Sequence, residues 1–75
     1  MDIADVMIHV HPDFAEDQRG KIETILGANE GVVSVHFSPD QRHDLTVAYD
    51  PKLVTSHHLL EQVREWDEAA TMIGL

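Results

Sequence analysis

The chain contains no cysteine. That absence excludes disulfides, thiolate nucleophiles, thiol redox chemistry and thiolate metal centres together. Basic residues are also scarce: five Lys and Arg stand against fourteen Asp and Glu, giving a net charge of −9. A field of that sign repels phosphate backbones, so no nucleic-acid partner is expected. It is compatible with cations or a basic protein, and it keeps the chain soluble. Neither a Gly-rich phosphate loop nor a nucleophile elbow occurs, so the chain does not read as an enzyme. No apolar run approaches the length of a membrane span. The stretch from Met1 to Met7 carries Asp2 and Asp5 and no basic residue leading into an apolar run. It does not resemble a signal peptide; no membrane association and a cytoplasmic location are the expectations.

Seventy-five residues suffice for a single domain, 1–75. A chain this short buries only about 60% of the surface that its unfolded form exposes. With no disulfide to supplement such a core, burial against a second copy or a protein partner is expected.

The apolar residues mark the elements. Val6, Ile8 and Val10 alternate with Met7, His9 and His11, the period of a half-buried strand that Pro12 ends. Asp13 is placed to cap a helix, with Glu16 three positions later. Phe14, Gln18, Ile22, Ile25 and Leu26 then share one helical face, which predicts a helix from about Phe14 to Ala28. Asn29-Glu30-Gly31 reads as its exit. A second strand has Val33, Val35 and Phe37 inward and Ser34 and His36 outward, followed by a polar turn from Ser38 to Asp44. The third strand has Leu45, Val47 and Tyr49 inward, with Thr46 and Ala48 outward, and Asp50-Pro51 closes it. Thr55 is a favourable cap for a second helix with the stripe Leu59, Leu60, Val63 and Trp66. The tail from Ala70 to Leu75 is apolar enough for a fourth strand.

Elements in this order predict an α+β, ferredoxin-like βαββαβ sandwich, with a four-stranded antiparallel sheet and two helices on one face. The other face is then open to water. Parity places Met7, His9, His11, His36, Thr46 and Ala48 on it as the candidate interaction face.

From Lys21 to Tyr49 the sequence resembles the heavy-metal-associated domains of copper chaperones and metal-pumping ATPases. The resemblance rests on Ile22-Glu23 and Leu26, on Gly31-Val32-Val33-Ser34-Val35, and on Leu45-Thr46-Val47-Ala48-Tyr49-Asp50-Pro51. Val54-Thr55-Ser56 and the stripe Leu59-Leu60…Val63 extend it. It implies the same fold, with sheet order 4-1-3-2, and a metal-handling role. The family's Met-x-Cys-x-x-Cys motif, counted back from the Gly31 turn, falls on Asp13, Ala15 and Gln18. None of the three supplies a thiolate or a thioether, so the family's usual site does not carry over.

Six histidines remain: His9, His11, His36, His43, His57 and His58. His9 and His11 stand two apart on a strand and so on one face, where their imidazoles can converge on an ion. Imidazole suits Zn²⁺, Ni²⁺ or Cu²⁺. Met7 adds a thioether on the same face, and Asp13 a carboxylate. Outward positions on an open sheet are polar in any case, and a His-x-His pair arises readily by chance. His57 and His58 point about 100° apart on a helix and do not chelate easily. His36 is separated from the first strand by the third, and His43 reads as a loop residue. Two readings follow. One is a non-catalytic metal-binding protein with His9 and His11 as ligands for Zn, Ni or Cu; the other is a metal-free interaction or dimerisation module built on the open sheet. RNA-recognition motifs share the strand order but stack bases on outward aromatics, which are lacking here.

Overall fold

The computed structural model describes residues 2–11, 16–40 and 43–74. Six elements follow one another: β1 (Ala4–His9), α1 (Glu16–Gly27), β2 (Val32–Phe37), β3 (Asp44–Tyr49), α2 (Ser56–Arg64) and β4 (Thr71–Gly74). The strands form one antiparallel sheet in the order β2-β3-β1-β4, the expected arrangement, with β2 and β4 at its edges. The expected fourth strand is present. No helix among the described residues is long and apolar enough to cross a membrane.

The period-two pattern becomes a buried face. Val6, Ile8 and Val10 at β1 and just beyond it, and Leu45, Val47 and Tyr49 of β3, are buried together with Ile22 and Leu26 of α1. Leu59, Leu60 and Val63 of α2 close the same core. The helices thus cover one side of the sheet. Each fully buried aliphatic side chain there contributes about 1.5–3 kcal/mol relative to its exposed state.

Local chemistry shapes the connections. Thr55 accepts a hydrogen bond from the His58 backbone N–H at 3.1 Å and so caps α2 as expected. At the exit of α1, Asn29 Nδ2 donates to the Leu26 carbonyl at 3.1 Å, which satisfies an acceptor at the helix terminus. Gly31 takes φ +98°, a conformation that side chains rarely tolerate. Its carbonyl accepts from the Asp50 N–H at 2.7 Å, joining the start of β2 to the end of β3.

Three expectations are corrected. Val33 does not face inward: it is 60% exposed, because the pairing steps from Val32 opposite Tyr49 to Ser34 opposite Ala48. The extra residue is a bulge, and it reverses the parity of the first part of the strand. Val32 instead packs against the core with Val35 and Phe37. Trp66 does not continue the buried stripe of α2. The helix ends at Arg64, and Trp66 stands 38% exposed in the following turn, beside Lys21, Thr24 and Ile25. Asp44 is not a solvated turn residue but the first residue of β3, 8% exposed. The described helix begins at Glu16, so the cap at Asp13 and the helix start at Phe14 lie outside the described residues.

Candidate metal centre

The outward rows of the sheet follow from its register. Asp5, Ala48 and Ser34 form one row, and Met7, Thr46 and His36 the next. His9 opposite Asp44 begins the third row, beside Thr71 of β4 and at the end where β1 runs towards α1. Met7, Thr46, Ala48 and His36 therefore occupy the open face as parity requires. His36 stands across β3 from β1, away from His9.

Among the described residues, one group of three His and carboxylate side chains could hold a metal ion: His9, His43 and Asp44, with one donor atom from each within 4.8 Å of the others. His9 comes from the last position of β1 and Asp44 from the first position of β3. His43 ends the β2–β3 turn, and its carbonyl accepts from the Val10 N–H at 2.8 Å, which pins the turn to the chain leaving β1. The Ser38 N–H donates to the Asp44 carbonyl at 2.9 Å and closes the hairpin from the other side.

Within this frame the His9 and Asp44 side chains meet. Nδ1 of His9 lies 2.7 Å from Oδ1 of Asp44, and their side chains are 40% and 11% exposed. A carboxylate so enclosed requires a partner, and His9 supplies one. The His43 ring stands edge-on to His9, with centroids 4.5 Å apart and planes 83° apart. Two imidazole nitrogens on one ion, each at about 2.0–2.1 Å from it, can stand at most about 4.2 Å apart. Donors within 4.8 Å of one another are thus close to the separation a shared ion demands.

The remaining candidates are placed otherwise. His11 lies beyond the end of β1 and is exposed; its backbone N–H donates to Asp67 Oδ2 at 2.6 Å, tying that segment to the α2–β4 connection. It does not belong to the three-residue group; Met7 is half-buried in the row below His9. Asp13 lies outside the described residues. His57 and His58 sit exposed in the first turn of α2, where His57 is 3.9 Å from Glu61. His43 and Asp44 are the residues that reading the sequence passed over. The signal that finds them is register: once Ala4 pairs with Tyr49, antiparallel pairing brings Asp44 opposite His9.

No family model matches the sequence, and no curated protein matches it either. Solved structures do match its shape. The oxidised form of MerP from Ralstonia metallidurans CH34 superposes with a TM-score of 0.75 at 12% identity, covering 97% of each chain. A copper-binding domain from HMA7, a P-type ATPase, superposes with a TM-score of 0.74 at 18% identity, covering 96% of this chain and 93% of that one. At such identities the likeness is one of fold. The chain has the ferredoxin-like βαββαβ fold shared by MerP and the copper-binding domain of HMA7.

Proposed function

We propose that this chain is a non-catalytic metal-binding domain that holds a borderline divalent cation, Zn²⁺, Ni²⁺ or Cu²⁺, at the site where β1 meets the β2–β3 turn. The observation that carries the reading is the convergence of His9, His43 and Asp44, with donor atoms within 4.8 Å of each other. Two imidazoles beside a carboxylate suit these ions and not Cu⁺, which favours sulfur. The fold shared with a copper-binding ATPase domain supports a metal-handling role. His9 is the central ligand. His11, next along the chain, Met7 in the row below and Asp13, which lies outside the described residues, are the further donors that the sequence nominates.

The test is titration of the metal-free protein with Zn²⁺, Ni²⁺, Cu²⁺ and Cu⁺, following the histidine side chains by NMR. A saturable response at one ion per site, with micromolar affinity or better, is expected at His9 and His43. Retention of binding in His43→Ala together with its loss in His11→Ala would move the second imidazole to the strand pair. Weak shifts spread over all six histidines would refute a defined site.

A second reading is a metal-free interaction or dimerisation module. It draws on the face of the sheet opposite the helices, where Met7, Thr46 and His36 form a continuous row, and on the two edge strands β2 and β4. Sedimentation with and without metal separates the readings: association that persists after chelation and survives His9→Ala favours the module.

A further inference from the structure

We propose that Asp44 is the positioning residue of this site and not one of its ligands. Its carboxylate holds the Nδ1–H of His9, so that Nε2 of His9 and the His43 ring are left to bind a divalent cation. The inference rests on the metal-binding reading above and assigns each of its three residues a separate part.

The chemistry of the pair carries it. A carboxylate only accepts hydrogen bonds, so the 2.7 Å contact makes His9 Nδ1 the donor. In a neutral imidazole the other nitrogen then carries the lone pair, and that lone pair is what a metal takes. Asp44 is 8% exposed, whereas the His9 side chain is 40% exposed, so the ring bridges an enclosed carboxylate and solvent. An ion arriving from solvent meets the imidazole first. Oδ1 of Asp44 is committed to His9, and the carboxylate lies behind the ring on the enclosed side, so the ring stands between it and solvent. Both backbones are also held. His9 and Asp44 are register partners across β1 and β3, and the Asp44 carbonyl is taken by Ser38. A carboxylate behind a ligating histidine fixes the ring's tautomer and orientation and raises its basicity. The sheet register supplies that arrangement here without any loop rearrangement.

The experiment compares the 75-residue chain with its Asp44→Ala and Asp44→Asn variants. First, the tautomer of His9 is read in metal-free protein from two-bond nitrogen–proton correlations of the imidazole ring. The Nδ1–H form is expected in the parent chain and in Asp44→Asn, whose amide carbonyl still accepts the proton. In Asp44→Ala the Nε2–H form should grow. Second, Zn²⁺ affinity is measured for all three, with circular dichroism to establish that each is folded. Asp44→Ala is expected to weaken binding about 10–100-fold, and Asp44→Asn to stay within a few-fold of the parent. Equal weakening in both variants makes Asp44 a ligand and overturns the proposal. An Nε2–H tautomer in the parent chain overturns it as well, and so does unchanged affinity in Asp44→Ala. If the parent shows the Nδ1–H tautomer but binds no Zn²⁺, the metal-binding reading fails while the His9–Asp44 geometry stands, so the two failures are distinguishable.

Discussion

A β-carbon built on Gly31 would stand 2.6 Å from the Cβ of Leu53, closer than real side chains approach one another. The two residues lie at the crossing of the α1–β2 and β3–α2 connections. The Gly31 carbonyl is bound there to the Asp50 N–H, and Gly31 itself has φ +98°. Glycine thus meets two demands at once, a positive φ and a close approach. Gly31→Ala is expected to destabilise the domain by about 2–3 kcal/mol, measured by urea or thermal unfolding. A loss below about 0.5 kcal/mol would show that the crossing relaxes freely. Gly20 and Gly27 have open space around the position of a β-carbon. Alanine at either lies on a helix and should stabilise by up to about 1 kcal/mol.

The bulge at Val33 sets apart two valines that look alike in the sequence. Val33→Thr should change stability by no more than about 0.5 kcal/mol, since the side chain is 60% exposed. Val47→Ala, at a position with no exposure, should cost about 1.5–3 kcal/mol. Denaturant midpoints of the two variants check the contrast, and similar losses in both would place Val33 in the core.

Asn29 links the two helices. Besides its bond to the end of α1, its side-chain amide donates to Gln62 Oε1 at 2.6 Å. Asn29→Ala should cost about 1–2 kcal/mol, because it removes several bonds of a half-buried group. A double-mutant cycle with Gln62→Ala should return a coupling of about 0.5–1.5 kcal/mol. A coupling of zero would mean that the contact contributes nothing in solution.

Helix α2 has a threonine cap but no acidic residue in its first turn. Thr55→Ala is expected to cost about 1 kcal/mol, with Thr55→Ser restoring most of it. His58→Glu places a carboxylate where it can complete a capping box and meet the positive end of the helix. A gain of about 0.3–1 kcal/mol should appear as a higher midpoint, larger at low salt than at high salt.

For the metal site the sheet order makes a negative prediction. His36→Ala should leave metal affinity unchanged, because β3 lies between β2 and the His9 position. His9→Ala should abolish defined binding. Calorimetric titration of the two variants reads both outcomes, and a loss in His36→Ala would require a ligand set that spans two molecules.

The element order was legible because each element carries its period in its own apolar residues. Val6, Ile8 and Val10 announce a strand as surely as Leu59, Leu60 and Val63 announce a helix face, and Thr55 marks a helix start within its own turn. Where sequence reading failed, a non-local term had taken over. Val33 fits an alternating pattern that continues unbroken through Val35 and Phe37, and only the pairing with β3 reveals the extra residue. Trp66 continues the spacing of the α2 stripe, but the helix ends before it and the ring meets solvent beside α1.

The candidate site divides in the same way. The amino-acid sequence by itself determined that no thiolate can serve, that six imidazoles remain as nitrogen donors, and that the net charge suits cations. It also determined the βαββαβ order, since periodicity, caps and turns act over a few residues at a time. Which histidine meets which carboxylate was decided by the tertiary structure alone. His9 and Asp44 are 35 residues apart in sequence, and they meet because β1 pairs with β3 in one register that buries both aliphatic faces against the helices. A shift of one residue would turn those faces to water, so the burial of Val6, Ile8, Leu45 and Val47 is what brings His9, His43 and Asp44 together.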